Sequence, residues 1–290
     1  MKKLYLNIDK INEFSLYAII IFLITGPALP DIFATLLSII FVYLAIKDKR
    51  LDSDIYLFLI PFFLFLIPNI FSKYSPEPLL EQLLNLRYYL FCLFILIYYK
   101  ANIKNLIFFL ICLTSIISID LIFQQVFKFN LLGIEIYSGH NKSRASSLFL
   151  SELIAGGYIL KLSLPVLGYL IYKKYFKTFL ILFILYELAI ISSGERMNFL
   201  LYNFGLLILI YINREKINLR FFSYIFILII IAIFSSLLIF DGAKHRLKTT
   251  FSMFDLNEKK ITSQHINHYI IAIDIFKDYP VFGTGHKTFR

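Results

Sequence analysis

Residues 178–212 read TFLILFILYELAIISSGERMNFLLYNFGLLILIYI. Two apolar runs, 178–193 and 197–212, flank a Gly-Glu-Arg triplet. Each approaches the roughly 20 apolar residues that carry a helix across a bilayer. Charge between two such runs is costly unless it reaches water or a partner. The stretch therefore reads as a helical hairpin in a membrane, with Glu195 and Arg196 in its turn.

The rest of the chain has the same texture. Of its 290 residues, 59% are hydrophobic, 18% aromatic and only 17% charged. A soluble domain uses about 25% charged residues to cover its surface. Apolar runs at approximately 13–29, 31–46, 55–71, 84–99, 106–127, 150–172, 178–193, 197–212 and 221–240 predict an all-α, polytopic membrane helix bundle over residues 1–240, with about nine transmembrane helices. Pro30 marks a tight turn between the first two; Pro61, Pro68 and Pro165 fall inside runs, as membrane helices tolerate. No small-residue cleavage site follows the basic start MKKLYLNIDK, so the first run reads as a retained helix. Cys92 and Cys112 lie inside apolar runs and read as small hydrophobes, not as a disulfide.

The net charge of +10 would suggest nucleic acid in a soluble protein. Here the cations fall between apolar runs, where membrane orientation accounts for them, and nucleic acid is excluded as a partner. Lys2, Lys3 and Lys10 precede the first run; Lys47, Lys49 and Arg50 follow the second; Lys100 and Lys104 follow the fourth. Lys173, Lys174 and Lys177 follow the sixth, and Arg214, Lys216 and Arg220 the eighth. The alternate loops are poorer in cations, which puts the N-terminus in the cytoplasm and Gly194-Glu195-Arg196 on the outer face. The loop after the fifth run, with Lys128, Lys142 and Arg144, breaks this alternation.

After Phe240 the chain turns polar, and residues 241–290 read as the beginning of a large outer loop. Within it Ile266, Tyr269, Ile270, Ile273 and Phe276 share one face of an amphipathic helix, which DYPVFGTG (278–285) stops. A partly apolar helix with nothing to pack on is an odd terminus, and the chain is expected to be part of a longer protein.

Several side chains on the outer face could carry chemistry. Arg196 reads either as an interface anchor or as a guanidinium whose fork suits a phosphate. Arg144 has the same two readings, and the excess Lys of its loop points to an anionic ligand. Glu152, near the outer end of the sixth run, faces water or has a function. Gly156 and Gly157 allow close approach of another helix or a lipid chain. Asp120 and Glu187 lie deeper, as a coupling-ion or proton site or as hydrogen-bonded glue. His265 and His268 share a helical face, but neither a third ligand nor a HExxH pattern accompanies them, so no metal and no cofactor is expected.

RASSLFLSELIAGGYI (144–159), SSGERMNFLL (192–201) and HINHYIIAIDIFKDYPVFGTGHKTF (265–289), in this order, resemble the O-antigen ligase and polymerase superfamily. The resemblance covers roughly the second half of the chain. It implies a metal-independent, inverting glycosyltransferase on the periplasmic face of the bacterial inner membrane. The donor would be a glycan on undecaprenyl pyrophosphate. The acceptor would be a sugar hydroxyl, on lipid A-core in a ligase or on another lipid-linked repeat in a polymerase of lipopolysaccharide biosynthesis. By the same resemblance Arg196 and Arg144 match the family's arginines that hold the pyrophosphate. Around them Arg196, Glu195 and His265 are expected to be catalytic, and Arg144, Glu152, His268 and Lys142 to bind substrate. Many members carry an Arg where this chain has His265, and the family's catalytic His lies further along the loop than Arg290. Two other readings stand beside it: a transporter or flippase of lipid-linked glycans, and a non-catalytic membrane partner.

Overall fold

The structure, a computed structural model, describes residues 14–48, 53–72, 77–98, 102–139, 142–150, 152–217, 219–239 and 259–285. Helix dominates the described residues, with one short hairpin among them. The helices are α1 (described over 14–22), α2 (Ala28–Asp48), α3 (Ser53–Ile70), α4 (Glu77–Leu84), α5 (Leu86–Tyr98) and α6 (Ile103–Phe127). After the hairpin strands β1 (Tyr137–Gly139) and β2 (Lys142–Arg144) come α7 (Ala155–Tyr172), α8 (Phe176–Ser193), α9 (Arg196–Ile212), α10 (Leu219–Ile239) and α11 (Lys259–Asp278).

Among the described residues, five stretches are long and apolar enough to cross a membrane: Ala28–Lys47, Glu77–Tyr98, Ile103–Phe127, Ala155–Tyr172 and Phe176–Ser193. Leu59–Ile70, Arg196–Ile212 and Ser223–Ala232 are shorter apolar helices. Several boundaries differ from the sequence reading, and the span of the fourth run, read as 84–99, begins at Glu77. The first turn falls at residues 23–27, where Gly26 takes a φ of +110°, and not at Pro30. Pro30 is instead absorbed into the first turn of α2, where a missing N–H costs no helical bond. The sixth run begins its helix at Ala155, so Glu152 precedes the helix.

The chain forms two compact units, Met1–Ala101 with Leu256–Arg290, and Asn102–Asp255. In the first unit Leu37, Phe41, Leu44 and Ala45 of α2 pack against Leu93, Phe94 and Tyr98 of α5. The Arg87 guanidinium meets Asp31, in the first turn of α2, at 3.1 Å, and the Tyr88 hydroxyl donates to the same carboxylate at 2.6 Å. The turn after α11 also has a partner. Phe282 stacks on Phe71 with ring centroids 4.7 Å apart, and the Ser72 hydroxyl donates to the Thr284 carbonyl.

The second unit is built around α8, against which α6, α7, α9 and α10 pack. Phe179, Phe183, Tyr186 and Ile190 of α8 are fully buried, as are Tyr202 of α9 and Ile159, Val166 and Leu167 of α7. The rings of Phe183 and Tyr202 lie nearly parallel, with centroids 6.2 Å apart. Helices α7 and α9 approach closely because glycines face bulky side chains. A Cβ on Gly205 would stand 2.7 Å from Leu164, and one on Gly168 would stand 3.2 Å from Leu209. Large apolar side chains on the outside, such as Ile181, Leu200, Phe204 and Ile208, are exposed, as a lipid-facing surface requires.

Candidate functional site

The site is assembled where α7 begins, α8 ends and α9 begins. Gly194 caps α8 in the left-handed conformation (φ +73°), a geometry glycine adopts without penalty. Glu195 follows as the N-cap of α9 in extended conformation, and Arg196 is already the first helical residue. The turn between the two helices is therefore two residues long.

Glu195 does not cap its own helix. Its carboxylate is turned onto α7, where Oε1 accepts from the Gly156 N–H at 3.0 Å. The Asn198 amide donates to its other oxygen. Burial pushes the Glu195 carboxyl up from its ordinary value. The Gly156 N–H, the Arg144 charge and the Asn198 amide pull the other way. A carboxylate at a helix N-terminus is also favoured by the peptide dipoles. The two glycines make this contact possible. A Cβ on Gly156 would collide with the Ser193 hydroxyl, and one on Gly157 would lie 3.1 Å from the Asn198 amide nitrogen.

Arg144 reaches the same place from the other side. Its Nε donates to the Ser193 carbonyl at 3.4 Å and one terminal nitrogen to the Leu153 carbonyl at 3.2 Å. The guanidinium thus covers the carbonyl end of α8, where the helix dipole is negative. Strand β2 delivers Arg144, pairing antiparallel with β1 in the register Tyr137↔Arg144.

A polar network holds this loop. Gln124 of α6 accepts from the backbone N–H groups of Ser146 and Ser147 at 2.9 and 2.7 Å. Asp120 accepts from the Ser147 hydroxyl at 2.6 Å and from the Leu131 N–H at 2.8 Å. Asn130 donates to the Ser147 carbonyl at 2.8 Å and accepts from the Leu132 and Ile134 N–H groups. Ser147 has a φ of +53°, uncommon for a residue with a side chain, and these bonds over-determine it. Asp120 is thus the hydrogen-bonded alternative of its two sequence readings, anchoring a loop.

Of the residues singled out from sequence, Arg144 and Glu195 meet at the 193–196 turn, and Arg196, half-buried, opens α9 beside them. Glu152 is exposed, its N–H donating to the Phe149 carbonyl at 3.0 Å. His268 is exposed on α11 and belongs to the other unit. Lys142 opens β2 and His265 lies in α11, but their side chains fall outside the described residues, as does the start of the outer loop, 241–258. Sequence reasoning missed Gln124, Asn130 and Asn198. Gln124 and Asn130 flank the end of an otherwise apolar run, and Asn198 follows Glu195 by three, a helical neighbour. Among the described residues, no three His, Cys, Asp or Glu side chains converge as metal ligands. Compared with family models, curated proteins and solved structures, the chain matches none.

Proposed function

We propose that this protein transfers a glycan from undecaprenyl pyrophosphate to a sugar hydroxyl at the periplasmic face of a bacterial inner membrane. The observation that carries the reading is the convergence of Arg144 with the Glu195–Arg196 turn, at the end of the unit where α7 and α9 both start. Two guanidinium-bearing residues and the first N–H groups of α9, which receive no side-chain cap from Glu195, favour a multiply charged anion there.

In this reading α1, the five longer spans and the three shorter apolar helices make about nine crossings, with the N-terminus in the cytoplasm. The acceptor hydroxyl attacks the anomeric carbon, whose bond to the pyrophosphate oxygen breaks. The electron pair leaves on the lipid pyrophosphate, where Arg196 and Arg144 stabilise the growing charge. A cation at a low-dielectric membrane edge does this better than one in water. Both oxygens of Glu195 are already engaged, so it acts as a positioning residue for the turn and for Arg144. Glu152 and Lys142, from the loop that carries Arg144, are assigned to acceptor binding, and the acceptor hydroxyl gives its proton to a base on the acceptor side.

The experiment is glycan transfer in proteoliposomes holding the whole protein, a lipid-pyrophosphate-linked donor and either lipid A-core or a second lipid-linked repeat. Wild type transfers, and Arg196→Ala loses at least about 100-fold, the loss seen when one charge-stabilising donor is removed, while still inserting in the membrane. Wild-type rates from Arg196→Ala would sink the proposal.

A further inference from the structure

Glu187, on α8 two turns before the site, is fully buried (0% exposed), and no Lys, Arg or His makes an ion pair with it among the described residues. Its Oε1 accepts from the Asn203 amide nitrogen of α9 at 3.0 Å. That nitrogen spends its second hydrogen on the Phe199 carbonyl, also at 3.0 Å. The amide is therefore oriented by two acceptors, and its oxygen is left over. Two buried atoms of this pair have no hydrogen-bond partner, Glu187 Oε2 and Asn203 Oδ1.

A carboxylate cannot bring those two atoms together, because both are acceptors. A carboxylic acid can. An acid and a primary amide form a closed ring of two hydrogen bonds: amide N–H to one carboxyl oxygen, acid O–H to the amide oxygen. The first bond of that ring is present, and the unpartnered atoms are the two that would make the second. Burying an unpaired carboxylate costs far more than burying a neutral acid.

We infer that Glu187 is a proton-binding site, a neutral carboxylic acid that donates to Asn203 Oδ1 and pins α8 to α9 without charge. Among the described residues, the neighbouring groups supply no counter-charge. Tyr186 on α8 bonds Thr114 of α6 at 2.8 Å, and the Tyr202 hydroxyl on α9 is buried without a partner. Asp120 of α6 is committed to Leu131 and Ser147. Lys161 of α7 is exposed, and the described buried residues of α10 are Ile225 and Ala232. The pin lies on the two helices that carry the 193–196 turn, so it holds the floor of the site without adding a second anion beside Glu195. The inference does not depend on the transferase reading.

Infrared difference spectroscopy of the whole protein in membranes tests it. Wild type minus Glu187→Gln at neutral pH is expected to show one protonated-carboxyl C=O band that shifts down in deuterium oxide. Gln can reproduce the two-bond ring, so its unfolding midpoint in detergent stays near wild type. Asn203→Leu serves if that variant does not insert. It removes the bonding partner and is expected to move the same carboxyl band upward. A carboxylate doublet in the first difference, or no change in the protonated-carboxyl region in the second, overturns the inference.

Discussion

The same two residue types, Glu and Asn, meet twice along α8 and α9, and the two meetings work differently. At the turn, Glu195 has the Gly156 N–H on one oxygen, the Asn198 amide on the other, and the Arg144 cation close by. Two turns deeper, Glu187 has one Asn203 bond, no cation among the described residues, and an oxygen with no partner. A carboxyl group's role follows from what surrounds it: dipoles and cations hold a charge at the turn, and an apolar interior calls for a neutral acid.

The comparison breaks most readily at the turn's cation. Arg144→Ala removes the donor to Ser193 and Leu153 and is expected to cut transfer at least about 100-fold, as loss of a charge-stabilising group does. The proteoliposome assay reads it. Arg144→Lys is expected to recover little, because a point-charge ammonium cannot reproduce the guanidinium fork. Full activity in the alanine variant would make Arg144 a mere loop anchor.

Gly156→Val comes next. Its side chain would enter the space of the Ser193 hydroxyl and of Glu195 Oε1, costing roughly 1–3 kcal/mol by overpacking. The unfolding midpoint in detergent should fall accordingly, and transfer with it. An unchanged midpoint would mean that the α7 terminus and the turn can separate freely.

Asp120→Asn sharpens the contrast from the loop side. The amide oxygen keeps the Leu131 N–H, but its NH2 must make the Ser147 hydroxyl an acceptor, so a charge-assisted bond becomes a neutral one at a cost of about 1 kcal/mol. Stability is expected to fall and transfer to weaken through a displaced Arg144. Glycan transport that collapses in this variant while Arg196→Ala stays silent would favour a transporter instead.

The smallest effect concerns pH. Burial raises the Glu195 carboxyl above its unfolded value, so the folded chain holds its proton to higher pH than the unfolded chain does. The stability this contributes is present below the unfolded value and is lost as pH rises through the folded one. Unfolding midpoints of wild type and Glu195→Gln, followed upward from the ordinary carboxylate range, should show that decline in wild type alone. A decline in both would assign it to another group.

Much of this was legible in the residues. Apolar runs of bilayer length announce helices, because an unpaired backbone in hydrocarbon is too costly for anything else. Gly194 between Ser193 and Glu195 announces a tight cap, and Gly156-Gly157 a close approach. The order of the loops' cations makes Arg144 conspicuous. Pro30 misled, since a proline in a first helical turn looks the same in sequence as one in a loop.

The sequence by itself determined a helical chain for an apolar surround, with charge concentrated in a few short turns, because hydropathy and helix length are local quantities. Only the tertiary structure decided which charges meet. Arg144 and Ser193 are 49 positions apart, Gly156 and Glu195 are 39, and Asp120 and Ser147 are 27. No local pattern encodes such pairs, since hydrogen bonds depend on how the helices pack and on which face each turns inward. That packing gives Glu195 two partners and leaves Glu187 one, so the same side chain has two roles on one helical hairpin.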